Sequence, residues 1–313
     1  MNRAVDRYLA LDLGGTKVAV GVVTGEGDVL VSRRALTSEL RANGDPLSGI
    51  LDVAEDALRS VGLHQQESLA GVGIALPGPV ERTAIRMKAA PTIPEIEGVS
   101  LTEALEGRFQ ASAFGDNDAN GAALAEARFG AGRGFGWVAY FTMSTGIGGG
   151  MVVDARVLRG ATGTATEFGH QIVLPEGGAR CDCGGFGCLE TVSSGRGIAR
   201  RARERGLAPS DAASVAEQAR AGDPTALELW DETALYLGIG ISNVINLFDP
   251  GVVVLGGGVG VGAADLLLPR VKAVVERRCM PSLHRPVELR TALLAGETGL
   301  IGAACLAMEG LER

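Results

Sequence analysis

Aromatic side chains are scarce in this sequence of 313 residues, which contains 2 Trp, 3 Tyr and 8 Phe. Because 46% of the residues are nonetheless hydrophobic, the core must consist mainly of Ala, Val, Leu and Ile, and a disordered chain is excluded. No apolar run reaches the roughly 18 residues that a membrane helix needs. The first residues also lack the apolar region of a signal peptide, which favours a cytoplasmic protein with reduced cysteines.

Lysine is nearly absent, since only three of the 29 basic residues are Lys. The net charge is −8. An acidic chain is a poor general binder of nucleic acid or of anionic membrane surfaces. We therefore expect neither of these partners.

Glycine, in contrast, is abundant: 47 residues, about double the usual share. Two of the glycine-rich stretches are turns between apolar runs. The run Tyr8–Leu13 enters a turn at 14–17, and Trp137–Met143 enters another at 144–150, about 130 residues later. This repeat favours two related halves, although any α/β protein could contain two such hairpins. Strands alternate with helices along the chain, which favours an α/β fold.

The first of these turns carries groups suited to phosphate. Gly14 and Gly15 expose backbone amides that can cradle phosphate oxygens. Thr16 can donate a hydrogen bond, Lys17 adds a positive charge, and Asp12 could act through a magnesium ion. A plain hairpin is the alternative.

The second turn, Ser144-Thr145-Gly146, has the same character. A Walker A motif is absent from the sequence, because no Lys is followed by Ser or Thr. Residues 258–263 fit G-x-G-x-x-A after a predicted strand, but a lone match this late in the chain does not predict NAD binding. The glycines at 256–258 could still lie against a nucleotide base or ribose.

Three of the five cysteines fall within eight residues, at Cys181, Cys183 and Cys188, and His170 precedes them. Three thiolates and one imidazole form a four-ligand set suited to tetrahedral zinc. Because the protein fills all four positions, such a metal would be structural. Three buried thiols beside an unrelated His are the alternative.

Polar residues at the end of a predicted strand are candidates for a site that binds and deprotonates a hydroxyl group. Asp118 follows Asn117 between a short strand and a helix, so it could be an N-cap or a carboxylate that takes a proton from a hydroxyl group. Glu167, His170 and Glu190 flank the cysteine loop and could bind several sugar hydroxyls.

Eight short motifs are distributed along nearly the whole chain. They are DLGGTK at 12–17, GIALPGPV at 73–80, DNDANGAALAE at 116–126, STGIGGG at 144–150, EFGH at 167–170, CDCGGFGCLE at 181–190, LGGGV at 255–259 and AGETGLIGAA at 295–304. Together they resemble the ROK family of sugar kinases, of the bacterial glucokinase type, and related repressors.

The resemblance implies an actin-like ATPase (ribonuclease H-like) fold with two α/β lobes and a cleft between them. The small lobe would span 1–117 and recover a C-terminal helix at 299–313. The large lobe would span 118–298 and carry the zinc loop. Homodimers or homotetramers are usual in this family.

The implied reaction is phosphorylation of a hexose at the C6 hydroxyl by Mg-ATP, as in the conversion of glucose to glucose 6-phosphate. Asp118 matches the catalytic base. The matching sugar ligands are Asn117, Glu167, His170, Glu190 and Gly78. The matching nucleotide positions are Asp12, Gly14, Gly15, Thr16, Lys17, Thr145, Gly146, Gly257 and Gly258.

One loop departs from the pattern Pro-Asn-x-Pro-x-Trp of glucose-type members, because residues 91–96 read PTIPEI. This departure keeps N-acetylmannosamine and N-acetylglucosamine open as substrates, and fructose, mannose and allose after them. Polyphosphate remains an alternative donor. A sugar-sensing regulator without kinase activity is a further alternative, but the first strand begins too early to leave room for a DNA-binding helix-turn-helix.

Overall fold

The computed structural model describes residues 6–42, 44–63, 69–87, 93–209, 211–281, 287–294 and 296–312. By its internal contacts the chain forms two compact units. The first unit comprises Met1–Phe129, Ala155–Ala165 and Gly296–Arg313, and the second comprises Gly130–Asp154 and Thr166–Ala295.

The described residues form strands and helices in alternation. The strands are β1 Arg7–Leu13, β2 Lys17–Thr24, β3 Val29–Leu36, β4 Gly71–Leu76, β5 Val80–Glu81, β6 Arg86–Met87, β7 Ala113–Asn117, β8 Trp137–Met143, β9 Ile147–Val153, β10 Arg156–Val157, β11 Val252–Gly256 and β12 Glu288–Thr291. The helices are α1 Thr37–Ala42, α2 Pro46–Ser60, α3 Leu101–Phe109, α4 Asp118–Phe129, α5 Leu189–Ser193, α6 Gly195–Glu204, α7 Ala212–Arg220, α8 Pro224–Phe248, α9 Gly257–Gly262, α10 Ala264–Arg278 and α11 Thr298–Leu311. Short 3-10 turns occur at Pro94–Ile96 and Phe168–His170.

The sheet of the first unit has the strand order β3-β2-β1-β4-β7. Strands β1, β2 and β3 are antiparallel neighbours, whereas β4 and β7 run parallel to β1. Every residue of β4 is buried, as expected for a strand covered on both faces. Because β1, β4 and β7 share one direction, their carboxyl ends lie at one edge of the sheet, which is where ligands bind in open α/β sheets.

The second unit repeats this arrangement. Its strands run in the order β9-β8-β11-β12, with β8 and β9 antiparallel and β11 parallel to both β8 and β12. In each unit a hairpin with a three-residue turn, at 14–16 or 144–146, is followed by two parallel strands. The shared order supports the prediction of two related halves.

The start of helix α8, at 25 residues the longest described, is marked by an Asp-Pro pair in the sequence. The Asp223 side chain accepts a hydrogen bond from the Ala226 N–H at 2.9 Å, and Pro224 occupies the first helical position, where its missing N–H costs nothing. None of the described helices combines the length and the apolarity that a membrane crossing requires.

Close backbone contacts at glycine pack the closing helix α11 into the first unit. A Cβ on Gly73, in β4, would lie 1.8 Å from the carbonyl oxygen of Ala303. A Cβ on Gly302 would lie 2.6 Å from the carbonyl carbon of Gly121, in α4. The helix therefore lies directly on the backbone of the sheet and of its neighbouring helix.

The first unit extends beyond the predicted small lobe. It continues past residue 117 through α4, because α4 packs against α11, and it also takes in 155–165. Residues 81–98 show no hydrophobic period in the sequence, which predicts a loop. Among the described residues there, β5 and β6 pair, and the segment at Pro94–Ile96 is a 3-10 turn. Elements of two or three residues are too short to show a hydrophobic period.

We expect Gly73→Ala to destabilise the protein by about 3 kcal/mol or more, because the new methyl group would meet backbone that cannot move aside. Urea unfolding measures the change in the free energy of unfolding. Gly107→Ala, on α3 with no atom within 4 Å of the added Cβ, is the control and should be neutral or stabilise by about 0.5–1 kcal/mol. Equal effects of the two substitutions would contradict this packing.

Candidate active site

The junction between β7 and α4 holds Asn117 and Asp118. Asn117 Oδ1 accepts hydrogen bonds from the N–H groups of Ala119 at 2.9 Å and Asn120 at 3.4 Å, which satisfies the first turn of the helix. The capping role considered for Asp118 is therefore filled by Asn117. Asp118 is exposed, and its Oδ1 accepts the Ala119 N–H at 2.8 Å.

The amide of Asn117 also joins two strand ends. Its Nδ2 donates a hydrogen bond to the carbonyl oxygen of Gly78 at 3.3 Å, in the loop that follows β4. Gly78 has a φ of +77°, a conformation that favours glycine. The structure thus brings Gly78, Asn117 and Asp118 together at the carboxyl edge of the first sheet.

A buried ion pair lies beneath this junction. Asp116 is 2% exposed, and its Oδ2 lies 2.5 Å from Arg159 Nε. Sequence reasoning assigned neither residue. A charged residue inside a short strand was the available signal for Asp116, whereas Arg159, 43 positions away, carried none.

The first glycine-rich turn is closed by a hydrogen bond from the Gly14 N–H to the Lys17 carbonyl at 2.9 Å. Gly15, Thr16 and Lys17 are exposed there. Asp12 lies beside the first turn of α11, since a Cβ on Gly299 would be 2.0 Å from its Oδ2. Burial raises the pKa of the Asp12 carboxyl, against the opposing charge of Arg34.

The second turn and the first residue of β9 form hydrogen bonds with three helices. The Ile147 N–H donates to Glu190 Oε2, in α5, at 2.8 Å. The Gly195 N–H, at the start of α6, donates to the Ser144 carbonyl at 2.8 Å. The Gly258 N–H, in α9, donates to Ser144 Oγ at 3.2 Å.

A cavity of about 840 Å³ opens beside this turn in the second unit. Ser144, Thr145 and Gly258 line it together with arginines of α6 and α7. Neighbouring Gly257 has a φ of +78°, and a Cβ there would lie 2.3 Å from the Met143 carbonyl oxygen. The predicted nucleotide positions 145, 257 and 258 therefore lie close together at the carboxyl ends of β8 and β11.

The predicted metal ligands also come together. The donor atoms of His170, Cys181, Cys183 and Cys188 all lie within 4.8 Å of one another. Cys183 Sγ is 3.7 Å from Cys188 Sγ, and Cys181 Sγ is 3.6 Å from His170 Nδ1. Tetrahedral zinc with bonds of about 2.3 Å to sulfur would separate two sulfurs by about 3.8 Å, so these residues fit such an ion.

The chemistry of the donor set also favours a cation. Burial, and after it hydrogen bonds with Cys183 and Cys181, raise the pKa of the Cys188 thiol to about 12. Clustered thiolates without a cation are therefore unfavourable, whereas coordination to a metal deprotonates a thiol outright.

Glu167 and Glu190 stand on either side of this cluster in the chain. Glu190 Oε1 lies 4.0 Å from Cys181 Sγ and 3.6 Å from the Arg196 guanidinium. Much of the Glu167 surface is exposed, yet desolvation raises the pKa of its carboxyl; His170 opposes the shift and Glu190 adds to it. Of the divergent loop, Pro91 and Thr92 lie outside the described residues, and Ile93 and Ile96 are buried.

The sequence profile of the ROK family matches residues 8–309. The chain belongs to the ROK family. It is 35% identical to a glucokinase of Halalkalibacterium halodurans, with 96% of this chain and 94% of the relative covered. It is 33% identical to an N-acetylmannosamine kinase of Citrobacter koseri, with 96% and 98% covered.

Solved structures agree with this assignment. A ROK hexokinase from Thermus thermophilus has a TM-score of 0.84 and 36% identity over 98% of this chain and 99% of the other. A ROK glucokinase from Streptomyces griseus, in complex with glucose and AMPPNP, has a TM-score of 0.75 and 34% identity over 98% and 100%. The predicted actin-like ATPase fold is confirmed.

We expect Cys188→Ser to lower the metal content of the purified protein, because one of four ligands is lost. Elemental analysis after dialysis against a weak chelator should find one zinc per chain in the wild type and much less in the variant. Cys279→Ser, outside the cluster, is the control and should bind like the wild type. A wild-type protein without metal would contradict the assignment.

Proposed function

We propose that this chain is an ATP-dependent kinase that phosphorylates a hexose at the C6 hydroxyl, with glucose as the preferred acceptor. The observation that carries the proposal is the exposed Asp118 carboxylate beside Asn117 and Gly78, at the carboxyl edge of the first sheet. Glucose as the acceptor is supported by the similarity to the glucokinases of H. halodurans and S. griseus.

In the proposed step, Asp118 accepts the proton of the C6 hydroxyl while the sugar oxygen bonds to the γ-phosphorus. The bond from that phosphorus to the bridging oxygen breaks, and ADP leaves. General-base assistance of this kind contributes about 10²- to 10⁴-fold. The remaining acceleration comes from positioning and charge neutralisation.

Five residues are the proposed sugar ligands. They are Asn117, Gly78, Glu167, His170 and Glu190. His170 presents Nδ1 to Cys181, so Nε2 is the nitrogen that would meet a sugar hydroxyl. The Glu167 carboxyl, partly desolvated, is suited to accepting hydrogen bonds from hydroxyl groups.

The glycine-rich turns are the proposed nucleotide-binding elements. The residues assigned to this role are Asp12, Gly14, Gly15, Thr16, Lys17, Thr145, Gly146, Gly257 and Gly258. The cavity of about 840 Å³ beside Thr145 and Gly258 has room for an adenosine. Magnesium would neutralise charge on the phosphates, and Asp12 is the carboxylate proposed to hold it, directly or through water.

A structural zinc ion is the proposed occupant of the thiol cluster. Four protein ligands close the site, and binding through Nδ1 would fix the orientation of the His170 ring. We also infer a homodimer or homotetramer, because these oligomers are usual in the family. Reduced thiols in the cluster are consistent with a cytoplasmic location.

A second candidate function is the phosphorylation of N-acetylmannosamine or N-acetylglucosamine. Residues 91–96 lack the Asn and the Trp of the glucose-type pattern. The similarity to the C. koseri N-acetylmannosamine kinase is nearly as high as that to the glucokinases. A sugar sensor without kinase activity is disfavoured, because the Asn-Asp pair and both phosphate turns are retained.

We expect Asp118→Asn to lower kcat by about 10²- to 10⁴-fold, because the base is lost, with little change in the KM for ATP. ADP release in the presence of glucose measures this. Asp56→Asn, at an exposed Asp paired with Arg59, is the control and should retain full turnover. An Asp118→Asn variant that keeps most of its turnover would show that the base is another group.

We expect kcat/KM to be highest for glucose in an assay of glucose, N-acetylglucosamine, N-acetylmannosamine, mannose, fructose and allose with ATP. Polyphosphate should be tested as an alternative donor in the same assay. A higher value for an N-acetylhexosamine would establish the second candidate. Sugar binding without phosphoryl transfer to any of the six would identify a sensor.

A further inference from the structure

We propose that Arg159 is a positioning residue for the phosphoryl-transfer step, acting through Asp116 on the Asn117–Asp118 junction. This inference rests on the proposed role of Asp118 as the base. Arg159 lies in the segment Ala155–Ala165, which the chain contributes to the first unit from between two segments of the second.

Asp116 links Arg159 to the junction through both of its carboxylate oxygens. Its Oδ1 accepts the Asn117 N–H at 2.8 Å and the Asn120 side-chain amide at 3.1 Å. Its Oδ2 accepts Arg159 Nε at 2.5 Å, and Arg82 Nε lies 3.4 Å away. The orientation of Asp116 therefore sets the position of the backbone from which Asn117 and Asp118 project.

Arg159 is itself held firmly. Its two terminal nitrogens donate to the two oxygens of Glu309, in α11, at 2.7 and 2.5 Å. The side chain of Glu309 is 1% exposed and that of Arg159 is 10% exposed. A guanidinium can bridge two carboxylates through Nε and its terminal nitrogens at once, whereas the single ammonium of Lys cannot reproduce this fork.

The contacts of Arg159 with Asp116 and Glu309 connect the candidate base to helix α11. Glu309 belongs to α11, which packs directly on Gly73 of the sheet, so the chain of contacts runs from α11 through Arg159 and Asp116 to the junction. Displacing a catalytic group by about 1 Å can cost about 10²-fold in rate. Without Arg159, Asp116 would still have the more distant Arg82 beside it and would turn towards it.

A purely structural ion pair is the competing explanation, and matched variants separate the two. Removing Arg159 alone would take a shared cation from two buried carboxylates, which is strongly destabilising. Arg159→Met combined with Glu309→Gln removes one of those charges while leaving Asp116 with Arg82. Glu309→Gln alone retains the Arg159–Asp116 contact and is the reference variant.

We expect the double variant to unfold at a urea midpoint close to that of Glu309→Gln, but to have a kcat at least about tenfold lower. Its KM for glucose should rise, since Asn117 moves with Asp118, and its KM for ATP should stay within about twofold. Arg159→Lys should show an intermediate kcat. A double variant with a kcat within about threefold of Glu309→Gln would overturn the inference.

The kcat of Asp118→Asn is measured in the same assay. This variant tests the assignment of Asp118 as the base independently of the role of Arg159. If it loses turnover while the double variant matches Glu309→Gln, only the role of Arg159 is wrong. If it keeps turnover, the base assignment is wrong and this inference falls with it. Should the double variant not fold, Arg159→Lys decides, because a folded Arg159→Lys with wild-type kcat also overturns the inference.

Discussion

Direct contact between backbone segments is the constraint on which the rest of this structure depends. At Gly73 the backbone of the first sheet touches α11, and at Gly257 the start of α9 touches the end of β8. A Cβ on Gly169 would lie 1.9 Å from the Ile147 carbonyl oxygen, so the segment that carries His170 rests on β9. Each contact places a helix or a loop directly against a strand. Part of the high glycine content is therefore explained by these close backbone contacts, which leave no room for a Cβ.

The two units place different candidate residues at the same edge of a shared strand order. In the first, the carboxyl edge collects the first glycine-rich turn after β1, Gly78 after β4 and the Asn117–Asp118 pair after β7. In the second, the corresponding edge collects the turn after β8 and the glycines after β11. The acidic side chains also differ in their surroundings. Asp116 and Glu309 are both paired with Arg159, whereas burial raises the pKa of Asp12 and of Glu167.

Much of the fold could be predicted because its signals are local. The hairpin turns, the Asp223–Pro224 start of α8 and the spacing of the cysteines lie within a few residues. Strands β5 and β6 were missed because two-residue strands show no period. Arg159 was missed because only the folded chain brings it to Asp116, and the cap at Asn117 could not be distinguished from one at Asp118 since both side chains can cap a helix. The chemical roles of the site residues remain predictions.

Helix α5 has only five residues, yet it belongs to two sites at once. Cys188, a candidate metal ligand, immediately precedes it, and Glu190 in its first turn holds the amide of Ile147 beside the second glycine-rich turn. The cysteine loop and the second glycine-rich turn therefore share one short helix. Under the proposed function, a substitution that rotates α5 would therefore disturb the sugar ligands and the nucleotide turn together.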